Sequence, residues 1–317
     1  MSSAFENLLN MLGGLGLFLF GIRNMTQSLE KISDSFVKNM VYKFTQNKYM
    51  AAFIGFVITA IVQSSSAVTV IVVGMVDAGL MALNQAAAVI MGANIGTTVT
   101  SLIIAVNLLG LAPLFVFLGV IFTFFKNKFL KTLGSILTGF GVLFLGMNMM
   151  SKAARPLSGL PVIKEFLMSF SNPLIGVLFG VTFTAIVQSS SVSIGMLEAL
   201  AFAGAISLKN ASFIIYGQNI GTCVTAMIAS FGSRKTAKRT VAIHFLFNVI
   251  GTVIFMSLTL FTPFLKWLET ILGSNIMFQI SSLHILFNVV STAILLPLSN
   301  VLIKLAYKII PDKEKLG

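Results

Sequence analysis

Long apolar runs separated by short polar, mostly basic intervals set the plan of this chain. The runs lie at about 8–28, 50–76, 84–106, 112–125, 133–150, 172–197, 210–231, 241–262 and 277–303. About 20 consecutive apolar residues suffice to cross a bilayer as a helix, so these runs predict an all-α polytopic membrane protein. Between 30 and 48 the pattern changes. Phe36, Val37, Met40, Val41 and Phe44 fall on one helical face, with Lys31, Lys38, Lys43 and Lys48 around it. That pattern predicts an amphipathic helix lying in the membrane interface. The stretch 152–170 reads as its counterpart, interrupted by Pro156 and Pro161.

Two apolar runs carry the same polar interruption. Thr59-Ala60-Ile61-Val62-Gln63-Ser64-Ser65-Ser66 recurs as Thr184-Ala185-Ile186-Val187-Gln188-Ser189-Ser190-Ser191, an offset of 125 (188 − 63). At the same offset, Gly92-Ala93-Asn94-Ile95-Gly96-Thr97-Thr98-Val99-Thr100 answers to Gly217-Gln218-Asn219-Ile220-Gly221-Thr222-Cys223-Val224-Thr225. Gly14, Gly16 and Gly21 answer to Gly139, Gly141 and Gly146. The chain therefore divides into a first repeat over 1–125, a second over 126–262, and a C-terminal transmembrane helix with a basic tail over 263–317.

Each QSSS run, about 50–76 and about 172–197, either spans once or folds back as a re-entrant hairpin. Arms of about 12 residues reach about 18 Å, roughly half the membrane, which would put the polar tip near the midplane. Re-entrant hairpins leave three spans per half, so the halves would be inverted; spanning hairpins would make them parallel. Counting basic residues misplaces one cluster in either topology: Lys126, Lys128 and Lys131, or Lys152, Arg155 and Lys164. Inverted repeats with broken helices are the commoner transporter solution, and duplicated polar breaks mark their binding sites, so the expected fold is two inverted-topology repeats, each with a re-entrant hairpin carrying QSSS, plus C-terminal transmembrane helices.

Composition agrees: 56% of residues are hydrophobic and 9% charged. The formal net charge of +12 comes from clusters between apolar runs. Such clusters read as topology signals and contacts to anionic membrane lipids, not as a nucleic-acid surface. The first residues lack the basic and small-residue features of a signal peptide. Cys223 is the lone cysteine, which leaves no intrachain disulfide and no Cys/His metal cluster.

A helix ending before Gln63 offers unpaired carbonyls, and one starting at the serines offers unpaired amides. Carbonyl, serine and glutamine oxygens suit a monovalent cation, whereas amides and hydroxyl donors at a helix N-terminus suit an oxyanion. Neither tip carries a carboxylate, which favours an anionic substrate. The alternative role for such serines is packing between helices. Gly92, Gly96, Gly217 and Gly221 permit either unwinding or close packing beside Asn94 and Asn219. His244 and Asn248 recur as His284 and Asn288, each pair on one helical face and able to bond a neighbouring helix. Arg23, which has no duplicate, is expected at the headgroups. Asp77 and Glu198, at the ends of the hairpin runs, are expected to be interfacial charges.

The paired QSSS and Asn-Ile-Gly-Thr blocks, with the His-x-x-Phe-Asn pattern, resemble the type II sodium-dependent phosphate cotransporter family, from about Gly14 to Asn248. The resemblance is to short bacterial members without a PhoU-like domain, and it implies an inner-membrane symporter working by alternating access. It implies phosphate binding by Ser64, Ser65, Ser66, Ser189, Ser190 and Ser191. It implies sodium binding by Gln63, Gln188, Asn94, Thr97, Thr98, Asn219 and Thr222, with sodium as coupling ion and no other metal or cofactor. Phe245 and Ile285 stand where electrogenic members carry aspartate, which implies electroneutral transport. Cys223 replaces a small hydroxyl residue. Two alternatives stay open: a phosphate-binding membrane sensor, and a sodium-coupled transporter of another small oxyanion. An intramembrane serine hydrolase lacks a Gly-x-Ser-x-Gly elbow and an acidic partner.

Overall fold

A computed structural model describes residues 3–44, 47–106 and 108–312, without the side chains of 3, 31–39 and 41–44. Among the described residues all regular structure is helical. In chain order the helices are α1 (Ser3–Phe44), α2 (Lys48–Val62), α3 (Ser65–Asp77), α4 (Leu83–Ala105) and α5 (Ala112–Thr123). There follow α6 (Lys128–Leu157), α7 (Pro161–Ser169), α8 (Pro173–Val187), α9 (Ser190–Phe202) and α10 (Leu208–Gly221). The remainder are α11 (Cys223–Ala229), α12 (Lys235–Phe261), α13 (Phe264–Leu272), α14 (Ile276–Leu295) and α15 (Ser299–Ile309).

Among the described residues six stretches are long and apolar enough to cross a membrane: Ala4–Glu30, Leu83–Ala105, Lys128–Leu157, Leu208–Ala229, Lys235–Phe261 and Ile276–Leu295; α7 and α8, bent by 99° to each other, would make a seventh if they cross together. Large apolar side chains such as Phe53, Phe117, Leu174 and Ile186 face outward. In water such a surface would drive aggregation; against lipid it is satisfied.

Several expected boundaries shift. Both QSSS runs break at their polar tips, into α2 with α3 and α8 with α9. The 112–125 run yields the 12-residue α5, about 18 Å long and short of a full crossing. The 277–303 run divides into α14 and α15 around Pro297, which cannot continue the hydrogen-bond ladder. The expected interfacial helix at 30–48 is a direct continuation of α1, with no break after the first apolar run. The apolar and basic face assigned to it rests on side chains outside the described residues, apart from Met40 and Lys48. Lys313 and Lys315 of the basic tail also lie outside them. Pro156 falls inside α6, and Pro161 opens α7.

The duplicated glycines set the packing. A Cβ on Gly92 would sit 1.8 Å from the Ala52 carbonyl oxygen, and one on Gly217 would sit 2.0 Å from that of Val177. One on Gly55 would meet the Val89 oxygen at 2.1 Å, and one on Gly180 the Ile214 oxygen at 2.1 Å. The partners are themselves 125 residues apart, so α2 on α4 and α8 on α10 are the same backbone-to-backbone contact made twice. Close packing, not unwinding, is therefore the role of Gly92 and Gly217. The third set crosses between the halves: Gly14 abuts Gly146, and Gly21 abuts Gly139, which makes α1 and α6 antiparallel. The hairpins end alike as well. Gly79 (φ 75°) and Gly204 (φ 76°) turn the chain after α3 and α9, while Leu80 N–H bonds Met75 C=O and Ala205 N–H bonds Leu200 C=O. Only glycine takes that left-handed turn without steric cost.

Candidate functional site in the cavity between two helix breaks

Each tip is built by two residues. Asn47 and Asn172 cap the entering helices, accepting from Tyr49 N–H at 2.8 Å and Leu174 N–H at 3.0 Å. The helices stop at Gln63 (φ 59°, ψ 24°) and Gln188 (φ 57°, ψ 22°), the two non-glycine residues with positive φ among those described. A left-handed residue with a Cβ costs about 1–2 kcal/mol, which glycine would avoid. Glutamine at both positions means that the side chain is kept at the expense of backbone strain. Ser64 and Ser189 then adopt extended backbone and cap α3 and α9, accepting from Ala67 N–H at 3.3 Å and Val192 N–H at 3.4 Å. Both caps are long, so those hydroxyls are only weakly engaged.

The two tips meet. Gln63, Ser64, Ser65 and Ser66 share one cavity of about 360 Å³ with Gln188, Ser189, Ser190 and Ser191. The N-termini of α3 and α9 both start at this cavity, presenting unpaired amides and partial positive charge. Helix α1 closes a side with Leu19, Ile22, Arg23, Thr26, Gln27 and Glu30. Arg23 therefore stands beside the serines, and it is exposed. Among the described residues it makes no ion pair.

The tips differ in their partners. The Gln63 side-chain amide donates to the Ala60 carbonyl, and its oxygen accepts from Thr100 Oγ1 at 2.6 Å. Ser191 Oγ reaches the same Thr100 hydroxyl at 3.3 Å. Thr100 on α4 thus ties the first tip to the second. The mirror arrangement is open: Gln188 is exposed, and the buried hydroxyl of Thr225, the duplicate of Thr100, has no partner.

The other predicted ligands lie elsewhere. Asn94, Thr97, Thr98 and Asn219 are buried away from the cavity lining, which also lacks Thr222. Thr97 and Thr98 donate to Ala93 C=O at 3.1 Å and Ile95 C=O at 2.7 Å, and Thr222 donates to Asn219 C=O. Asn94 bonds Asn248 at 3.5 Å and His244 at 3.2 Å, while Asn288 donates to Asn219 at 3.2 Å. Each repeated asparagine is thus held by the asparagine of a His-x-x-x-Asn helix. Cys223 accepts from Asn248 Nδ2 at 3.3 Å.

The two acidic residues part ways. Asp77 caps a loop, accepting from Arg234 N–H at 2.7 Å. Glu198, expected at the interface, is fully buried, because α9 packs on α4 and α6 along its length. Thr100, Arg23 and the α1 stripe are functional candidates that the sequence argument passed over. Signals existed: Thr100 closes the repeated nine-residue block, and Arg23, Thr26, Gln27 and Glu30 recur with helical spacing.

Comparison with known proteins adds an independent line. The chain is 33% identical over 303 residues to "Uncharacterized protein YqeW" of Bacillus subtilis, covering 93% of this chain and 96% of that one. It is 28% identical over 269 residues to "Putative inorganic phosphate export protein YjbB" of Escherichia coli K12, covering 84% of this chain and 48% of that protein. It is 28% identical over 153 residues to human "Sodium-dependent phosphate transport protein 2B", covering 45% of this chain and 22% of that one. The chain thus spans nearly all of the first relative and half or less of the others. No solved structure matches. The family model described as Na+/Pi-cotransporter matches residues 17–152 and 158–278. With that match over most of its length, the chain belongs to the Na+/Pi-cotransporter family.

Proposed function

We propose that this protein is a sodium-coupled symporter of inorganic phosphate that works by alternating access, with phosphate and sodium bound near the membrane midplane between the two QSSS tips. The observation that carries this reading is the shared cavity, where two helix N-termini, the serines of both tips and Arg23 converge. Helix N-termini and hydroxyl donors recognise oxyanions, and an arginine can pair with phosphate through two parallel N–H bonds. Ser64, Ser65, Ser66, Ser189, Ser190 and Ser191 hold phosphate. Gln63 and Gln188, whose carbonyl ends and amide oxygens face the tips, hold sodium. Asn94, Thr97, Thr98, Asn219 and Thr222 form the layer behind. Their threonine hydroxyls donate to backbone and keep oxygen lone pairs free for a cation.

Residues 1–125 and 126–262 act as inverted repeats, with 263–317 completing the bundle. The duplicated glycine contacts at one offset, and the antiparallel crossing of α1 with α6, support inversion. Alternation is supported by the unequal tips: the repeats share a sequence, yet Gln63 is locked through Thr100 while Gln188 and Thr225 are free. Exchanging the two arrangements would move access from one side to the other. Sodium couples by favouring the conformation that binds phosphate. The relatives' names support phosphate as cargo, and the direction of net flux follows the ion gradients.

The test is radiolabelled phosphate uptake into proteoliposomes, under an inward sodium gradient and under an equal choline gradient. Accumulation with sodium alone, competed by arsenate and not by sulfate, is the expected result. Saturable binding without accumulation would replace this reading with a sensor, and competition by sulfate would change the substrate.

A further inference from the structure

Helix α9 carries, beyond its tip serines, a group that phosphate binding does not use. Glu198 has no exposed surface, and its Oε1 accepts from Ser101 Oγ at 2.7 Å. Its Oε2 is buried and has no partner. Helix α9 packs against α1, α4, α6, α8, α10 and α14. Of these, α4 and α8 carry no titratable side chain. Lys209 and Tyr216 on α10, His284 on α14, Lys128, Lys131, Lys152 and Arg155 on α6, and Glu6, Arg23 and Glu30 on α1 are the described titratable groups of the others. None of them bonds or pairs with Glu198 among the described residues. Tyr216 is turned to Thr259 at 2.7 Å, and Lys152 and Arg155 are exposed.

A bare carboxylate here would lose its hydration and gain one hydroxyl in return, a large cost. Ionisable side chains at such depth mark ion or proton pathways. A sodium ion would need a shell of oxygens; Glu198 and Ser101 supply only a carboxyl and a hydroxyl, and among the described residues no cluster of acidic, histidine or cysteine ligands surrounds them. A proton needs one oxygen. Glu198 stands outside the tip cavity but is joined to residues that reach it. Ser101 follows Thr100, the residue that ties both tips, and Glu198 lies seven residues after Ser191, about two turns on along the same face of α9.

We propose that Glu198, oriented by Ser101, is a proton-binding site of the carrier, distinct from the phosphate cavity. Its carboxyl holds a proton in this conformation. When α9 moves and admits water from one side, the proton leaves to that water and the carboxylate remains; in the alternate arrangement, open to the other side, it takes its next proton from the water there before the helices repack. The substrate class is thus H+, carried alongside the phosphate and sodium of the reading above, on which this inference rests.

Two readouts test it separately from phosphate transport. The first is infrared spectroscopy of purified protein at pH 8, where exposed carboxylates are ionised. A protonated-carboxyl C=O band is expected in the wild type, shifted in D2O and missing in Glu198→Gln. The second uses proteoliposomes with an entrapped pH dye and a sodium gradient. Glu198→Gln, which mimics the neutral acid and preserves volume, is expected to keep phosphate uptake within about threefold, a barrier change under about 1 kcal/mol. It should lose the part of the lumenal pH change that exceeds what the same amount of delivered phosphate causes by its own equilibrium between monoanion and dianion, and flatten the pH dependence of uptake between pH 6 and 8. Ser101→Ala is expected to shift that pH profile without removing it. An unchanged infrared spectrum, or wild-type proton movement in Glu198→Gln, would overturn the proposal. A wild type that shows the band yet moves no phosphate would refute the transport reading and leave the proton site standing.

Discussion

The two hairpin tips have the same eight-residue sequence and nearly the same backbone, yet they sit in different hydrogen-bond environments. Gln63 is 8% exposed and bonded on both ends of its amide, whereas Gln188 is open to the cavity. Thr100 serves both tips, while its duplicate Thr225 serves neither. Identical local sequence fixes the local fold: a left-handed glutamine followed by a serine cap. It does not fix which tip is locked. That choice belongs to the packing of α4 and α9 between the halves, and two sequence-equal choices are what a two-state carrier requires.

The largest expected effects probe what the halves share. Gly92→Ala and Gly217→Ala each drive a methyl into a carbonyl oxygen 1.8 Å or 2.0 Å away. Overpacking costs about 1–3 kcal/mol and more against backbone. Both variants should lose the monodisperse peak on size-exclusion chromatography in detergent, to a similar degree. Folding of one but not the other would break the equivalence of the halves.

The next comparison separates the tips. Gln63→Gly and Gln188→Gly both relieve the left-handed backbone by about 1 kcal/mol, but only the first discards formed hydrogen bonds, each worth about 1 kcal/mol. Thermal unfolding should rise for Gln188→Gly and stay level or fall for Gln63→Gly. Both should lose at least about tenfold in sodium-driven uptake, the equivalent of about 1.4 kcal/mol.

Thr100→Val and Thr225→Val sharpen the contrast at lower amplitude. The first leaves the Gln63 oxygen and Ser191 without their shared partner and should destabilise by about 1–3 kcal/mol. The second removes a hydroxyl that is already unpartnered and should be neutral or slightly stabilising. Equal destabilisation in both would mean that the asymmetry is absent from the purified protein. Among the variants expected to impair transport, the smallest effects come from Ser65→Ala and Ser190→Ala, a loss of about 1 kcal/mol of anion binding each, seen as about fivefold weaker uptake at low phosphate with normal membrane insertion. Undiminished uptake in both variants would remove these serines from the site.

Much of this arrangement was legible in the sequence. Exact duplication of a polar tip in apolar surroundings located both helix breaks, whereas the repeated glycines read only as landmarks until the structure set them at helix crossings. Helix lengths were less legible, because apolar runs do not record where a proline or an interfacial turn stops a helix, as at α5 and Pro297. Glu198 was misplaced because it is not duplicated, so symmetry was silent, and a single charge near the end of an apolar run looks interfacial until neighbouring helices enclose it. Thr100 was in view but could not be chosen over Thr97 and Thr98, since hydroxyls on one helix differ only by which face meets the opposite tip.

Alternating exposure of the tip cavity is the central claim, and side-specific labelling tests it most directly. On a Cys223→Ser background, Ser66→Cys and Ser191→Cys would each be probed in oriented vesicles with a membrane-impermeant thiol reagent. Labelling of both positions from either side, suppressed by sodium with phosphate, is the predicted result. Labelling from one side alone, unaltered by sodium and phosphate, would contradict the account.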